Sequence, residues 1–217
     1  MTETPLAVDI ISDVVCPWCY LGKRRFERGA AEAGIAIEVR WRPYQLDPTI
    51  PPEGLDRRDY IIGKFGSLER IEPAHANLRA GGAAEGIRFD FERISVSPNT
   101  LDAHRLIRWA AETGSQGAVV TALFRAYFEE GRDVGDRNVL AAIAVETGLD
   151  GEAVRSRLQS DEDLAAVQTE IAQAQRLGVS GVPTFILAGK YAVVGAQTPD
   201  QVAQALRQVA AEVNASG

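Results

Sequence analysis

Residues 12–27 read SDVVCPWCYLGKRRFE, and this stretch holds Cys16 and Cys19, both cysteines of the 217-residue chain. Two thiols three positions apart admit three uses: ligands of a structural zinc ion, a stapling disulfide, or a pair that gains and loses a bond during catalysis. A zinc site needs three or four ligands, and the histidines, His75 and His104, stand 29 positions apart and far from Cys16, a spacing no zinc finger uses. Stapled scaffolds are small and cysteine-dense, whereas two cysteines in a chain of this length leave stability to packing. The third use remains. At the start of a helix, C-x-x-C puts both sulfurs on one face within disulfide reach.

The residues on either side supply that helix. PLAVDIISDVV, residues 5–15, is apolar on both parities and rich in Val and Ile, which predicts a central strand buried on both faces. CPWCYLGKRRFERGAAEAG then reads as a helix, with Pro17 suited to the first helical position, Tyr20 and Leu21 opening the apolar side and Gly34 ending it. In GIAIEVRWRPY, Ile35, Ile37, Val39 and Trp41 alternate with Ala36, Glu38, Arg40 and Arg42, the period of a second strand. The first fifty residues are therefore β-α-β.

Prolines and a glycine in QLDPTIPPEG stop the pattern, and the chain to about residue 160 reads as helical, with one short possible strand at IRFDF, residues 87–91. Three stripes at helical spacing read as core: Ile61, Phe65 and Leu68; Ala103, Leu106, Ile107 and Ala110; Val120, Leu123, Phe124 and Tyr127. A helix from about Asp136 to Gly148 follows, and a longer one carrying Leu164, Val167, Ile171 and Ala174 ends at Gly178. After GVSGVP the period returns to that of strands, with TFIL and YAVVGA joined by AGK as a hairpin. Thr198, Pro199 and Gln201 form a capping box for a last helix, whose inward stripe is Val202, Ala205, Leu206 and Val209, before a polar tail, NASG. Setting aside the helical block leaves β-α-β-α-β-β-α, the thioredoxin topology, so we expect an α/β thioredoxin-like unit at 1–51 and 161–217 interrupted by a helical insertion at 52–160.

The bulk numbers narrow the function. A net charge of −7 and a longest basic run of three, Lys23 to Arg25, disfavour nucleic acid or an acidic membrane as partner. No segment approaches the apolar length of a membrane helix, and no secretory signal pattern opens the chain, so a cytoplasmic setting is expected. Protein or small-molecule thiols and disulfides are the partners left, and no bound organic cofactor or metal is implied.

Within the pair, Cys16 precedes Pro17 at the helix N-terminus, where unpaired N–H groups and the helix dipole favour a thiolate, which makes it the nucleophile. Cys19 lies one turn further in, placed to attack a mixed disulfide on Cys16 and release the partner. Pro17 and Trp18 between the sulfurs tune thiolate stability, and Trp18 reads as a hydrophobic contact for the partner, with simple packing as the alternative. Asp9, Asp13 and Glu38 are all candidates to accept the Cys19 proton, and a solvated surface role competes for each.

CPWCYLGK after a strand, a long helical insertion, GVSGVPTFIL and VVGAQ together resemble the DsbA-like thioredoxin-fold family, specifically its FrnE-type oxidoreductase branch, over essentially the whole chain. The resemblance implies a thiol-disulfide oxidoreductase or isomerase with Cys16 nucleophilic, Cys19 resolving, Pro183 in a cis peptide bond and the Val182 backbone pairing with substrate; glutathione would be a redox co-substrate. Base rates alone would make Val182–Pro183 trans. SPNTLDAHRLIRWA, residues 97–110, also resembles this branch and related glutathione-using enzymes, but Asn99 and His104 read as capping and core polar residues. The alternative implied by the same superfamily is a glutathione-dependent isomerase or kappa-type transferase, which typically carries serine where Cys16 stands. A partner-binding module using the groove near Trp18 and Val182 is a third.

Overall fold

The structure, a computed structural model, describes residues 5–216; residues 1–4 and 217 of the expected thioredoxin-like unit lie outside the described residues. Strand β1 (Leu6–Ser12) is followed by helix α1 (Pro17–Ala33) and strand β2 (Ile37–Pro43). The insertion carries β3 (Leu55–Asp56), α2 (Arg57–Phe65), α3 (Glu72–Ala84), β4 (Val96–Ser97), α4 (Leu101–Ala110), α5 (Gln116–Phe128), α6 (Arg137–Glu146) and α7 (Gly151–Leu158). Then come α8 (Leu164–Arg176), β5 (Thr184–Leu187), β6 (Tyr191–Val194) and α9 (Pro199–Ser216).

The main sheet has the order β2-β1-β5-β6, with β1 parallel to β2 and antiparallel to β5, and β5 antiparallel to β6. That is the expected thioredoxin-like arrangement, with β1 in the interior. Its two faces are covered separately. Val8, Ile10 and Phe185 point toward α1 and α9, which pack on each other, while Ile11 and Ile186 meet Ala174 of α8. Burial on both sides is complete only at the C-terminal end of β1, Ile10–Ser12; before it Leu6 and Val8 are buried while Ala7 and Asp9 are half-buried.

The start of α1 follows from Cys16 at the N-cap and Pro17 behind it, and its end from Gly34 in the left-handed region, φ 69°. At the other end of the chain, Thr198 N–H donates to Gln201 Oε1 and Gln201 N–H to Thr198 Oγ, the reciprocal capping box that starts α9.

One buried cluster runs from the sheet into the insertion. Its junction is aromatic: Tyr20 of α1 stacks on Phe124 at 5.1 Å and meets Phe89 edge-on at 5.8 Å. The expected strand at 87–91 does not form. Ile87, Phe89 and Phe91 are buried with the alternation of a strand, but among the described residues no strand pairs with them, and the segment ends in a 3-10 turn at Phe91–Arg93. The insertion's strand pair is instead the two-residue antiparallel ladder β3–β4. The stripe on α2 is not core either: Ile61 is buried, but Phe65 is 43% exposed. The stripes on α4 and α5 are buried as expected.

Candidate active site

The end of β1 delivers the chain into a tight turn, Cys16 N–H donating to Asp13 O at 3.0 Å, and so fixes Cys16 at the N-cap of α1. Its side chain caps no backbone N–H; its sulfur turns instead toward the loop before β5. There Cys16 Sγ lies 3.6 Å from Val182 O, and Val182–Pro183 is a cis peptide bond. The structure therefore brings Cys16 and Cys19 together with Val182 and Pro183, across 166 positions of chain. Pro17 and Trp18 stand beside them, Trp18 at 40% exposure.

Both cysteines are free thiols. Burial hardly separates them, at 3% for Cys16 and 1% for Cys19; access does. Cys16 lines a cleft of about 480 Å³ between the sheet's end and the insertion, and Cys19 does not. Burial pushes the Cys19 thiol well above its ordinary value, the adjacent Cys16 sulfur adds to this, and hydrogen bonds from the Ser12 side chain and the Asp13 backbone offset part of it. An opened cysteine beside a protonated, enclosed one is an arrangement able to take up and release a covalent partner.

The three candidate carboxylates part company. Asp9 is ion-paired to Arg42 at 2.8 Å and Arg40 at 3.2 Å, and Glu38 is exposed. Asp13, by contrast, is buried and lines the cleft with Cys16, so the surface reading fails for it. Its Oδ2 accepts from Leu46 N–H at 2.8 Å. His104, expected as a core polar residue, is buried beside it. Its Nε2 is 2.8 Å from Tyr44 O, and since a carbonyl can only accept, Nε2 carries the proton and directs it there. Asp13 Oδ1, 3.4 Å from the same nitrogen, is left buried with no hydrogen-bond partner. Asn99 has the capping role: its Oδ1 accepts from Leu101 N–H at 3.0 Å, while its Nδ2 donates to Ile50 O at 2.7 Å.

Sequence reasoning missed the far wall of this cleft, which α2 and α3 provide through Arg57, Tyr60, Lys64, Phe65 and His75. The signal available was the pair of aromatics, Tyr60 and Phe65, on a helix that also carries four charged residues, Arg57, Arg58, Asp59 and Lys64. Among the described residues no group of three His, Cys, Asp or Glu side chains is placed to hold a metal ion, and no helix is long and apolar enough to cross a membrane.

Comparison with known proteins agrees with this fold. The family model described as the DSBA-like thioredoxin domain matches residues 7–207. Protein YwbO of Bacillus subtilis (strain 168) is 30% identical over 200 residues, covering 92% of this chain and 94% of that protein. The crystal structure of a probable DsbA oxidoreductase from Streptomyces coelicolor superposes with a TM-score of 0.87 at 36% identity, covering 95% of this chain and 91% of that one. The cytosolic disulfide reductase DsbM from Pseudomonas aeruginosa, solved with GSH, shares the fold at a TM-score of 0.65 and 21% identity, covering 97% and 98% of the two chains.

Proposed function

The chain belongs to the DsbA-like thioredoxin-domain family of oxidoreductases, and from that premise we propose that it is a thiol-disulfide oxidoreductase exchanging disulfides through Cys16 and Cys19. The observation that carries the proposal is the meeting of Cys16 Sγ with Val182 O, 3.6 Å apart, at the mouth of an accessible cleft.

In the reducing direction the Cys16 thiolate attacks one sulfur of a substrate disulfide, forming a mixed disulfide and expelling the other sulfur as thiolate. The Val182 backbone beside Cys16 aligns the incoming chain. Cys19 then gives up its proton and attacks Cys16 Sγ, closing the Cys16–Cys19 disulfide and releasing the second substrate thiolate; two electrons pass from the protein dithiol to the substrate. Asp13 is the proton acceptor in this reading, because it alone of the three candidates is buried, its own backbone hydrogen-bonds the Cys19 thiol, and its Oδ1 is left without a hydrogen-bond partner. Trp18, exposed at the rim, contributes apolar contact to the partner.

Glutathione, present in the structure of the Pseudomonas reductase, is the proposed redox co-substrate that returns the pair to the dithiol, and a cytoplasmic setting belongs to the same proposal. The isomerase alternative has weaker support: an isomerase of 2-hydroxychromene-2-carboxylate shares the fold at 19% identity, and that chemistry gives Cys19 no task. Insulin reduction, followed by turbidity, tests the proposal. Cys16→Ser is expected to abolish turnover; full retained activity in this variant overturns the assignment.

A further inference from the structure

The cleft beside Cys16 has a charge balance that the exchange chemistry does not require. Lys64 is neutralised on the spot, its Nζ 3.0 Å from Asp47 Oδ2 and 2.6 Å from the Tyr60 hydroxyl. His75 lies where burial, then the nearby Arg79, pushes its imidazole toward the neutral form. Asp13 is the remaining carboxylate, buried against His104 at the cleft's base. Arg57 is different. Its backbone N–H is tied to Ser95 O at 2.9 Å, and its guanidinium, half-buried, donates to Ser97 Oγ at 3.3 Å; among the described residues it has no ion-pair partner. A guanidinium cannot shed its proton to escape this situation, and its fork of donors matches a carboxylate.

The cleft's rim is apolar. Trp18, Leu46 and Phe65, all among the large hydrophobic side chains left exposed, line it, at 40%, 43% and 43% exposure. Three such residues converging on one opening form a patch rather than scattered surface hydrophobics. A volume of about 480 Å³ is that of a small-molecule site.

We infer that the substrate of the Cys16 site is a low-molecular-weight disulfide with an apolar body and a carboxylate, held by the Trp18–Leu46–Phe65 rim and by Arg57. The inference rests on the exchange chemistry proposed above and names its substrate class. Arg57 grips the carboxylate, the rim covers the apolar body, and one sulfur is presented to Cys16. That sulfur joins Cys16 as a mixed disulfide, the other leaves as thiolate, and Cys19 completes the two-electron reduction; in an assay a small dithiol restores the enzyme.

Two aromatic disulfides separate the contributions: 5,5′-dithiobis(2-nitrobenzoate), which carries carboxylates, and 4,4′-dithiodipyridine, which carries none. For each, kcat/KM of Arg57→Met is divided by that of the unsubstituted protein, so intrinsic reactivity cancels. The expected result is a loss of about tenfold for the carboxylated probe, with the neutral probe changed less than twofold. Arg88→Met, removing a charge from a side chain 93% exposed, should leave both ratios near one. Equal losses on both probes, or none on either, overturn the inference, as does an equal loss on insulin, which would point to a peptide in the cleft.

If Arg57→Met does not fold, the unsubstituted protein still decides. Naphthalene-2-carboxylate should slow alkylation of Cys16 saturably while naphthalene-2-methanol does not; equal protection by both overturns the carboxylate assignment. The two readings fail separately. A protein that never closes the Cys16–Cys19 disulfide after either probe refutes the exchange reading, while carboxylate-specific protection of Cys16 is measured without any exchange.

Discussion

Cys19 has a thermodynamic signature that can be measured apart from activity. Its folded-state thiol is held above the ordinary value by burial, so the unfolded chain loses this proton first as pH rises. The stability tied to the protonated thiol is complete below the unfolded value, about pH 8.5, and declines above it. In a Cys16→Ser background, the urea stability of the Cys19 form minus that of Cys19→Ala should therefore fall as the pH is raised beyond about 8.5. A flat difference contradicts the burial account. Asp13→Asn keeps an acceptor for Leu46 N–H but loses the base. Rapid-quench alkylation should show the mixed disulfide on Cys16 accumulating, with its resolution slowed by about 10²-fold and its formation altered only severalfold. The cysteines were legible in the sequence because spacing and a helix start define their chemistry locally. Asp13 was not, because its partners, Leu46 and His104, come from a loop and a helix that only the folded chain brings to it.

At the level of elements, two glycines set how closely α1 approaches its neighbours. A Cβ on Gly22 would lie 2.7 Å from Pro183 Cγ, and one on Gly29 would lie 2.6 Å from Pro199 O and 2.7 Å from Val202 Cβ. Both substitutions to alanine overpack, at a cost of about 1–3 kcal/mol. Their consequences should differ. Gly29→Ala acts on the α1–α9 contact and should lower Tm while leaving kcat/KM near its starting value. Gly22→Ala presses on the loop that faces Cys16 and should lower kcat/KM for insulin in the fraction that remains folded, several-fold or more. The helices and the hairpin were readable because their periods and caps are local properties, as Gly34 and the Thr198–Gln201 box illustrate. The segment 87–91 was not: it has a strand's alternation, and only the absence of a neighbouring ladder among the described residues distinguishes it. Phe65 followed the helical period of Ile61 but faces a cleft, and periodicity cannot tell a core from the wall of a site.

For the molecule as a whole, Arg105 is the residue that sequence would place in solvent and the fold places at its centre, 1% exposed. Its guanidinium donates to Asp102 Oδ1 at 2.7 Å and to three carbonyls, Arg157 O at 2.8 Å, Ser160 O at 2.7 Å and Glu162 O at 2.7 Å. It thereby fastens α4 to the stretch that leads from the insertion into α8. Arg105→Met strands those carbonyls and the carboxylate, and a loss of about 3–5 kcal/mol in urea unfolding is expected. Because a single buried cluster joins the sheet to the insertion, unfolding followed by tryptophan fluorescence and by circular dichroism should give coincident transitions. The contact between Cys16 and Val182 spans 166 positions, which has a consequence for the chain as it is made. At about 5–20 residues per second, a ribosome takes some 10–30 s to travel from one to the other. For that interval the nascent chain carries both thiols without the loop that will face them, so the period of greatest exposure to unwanted oxidation falls before the protein is finished.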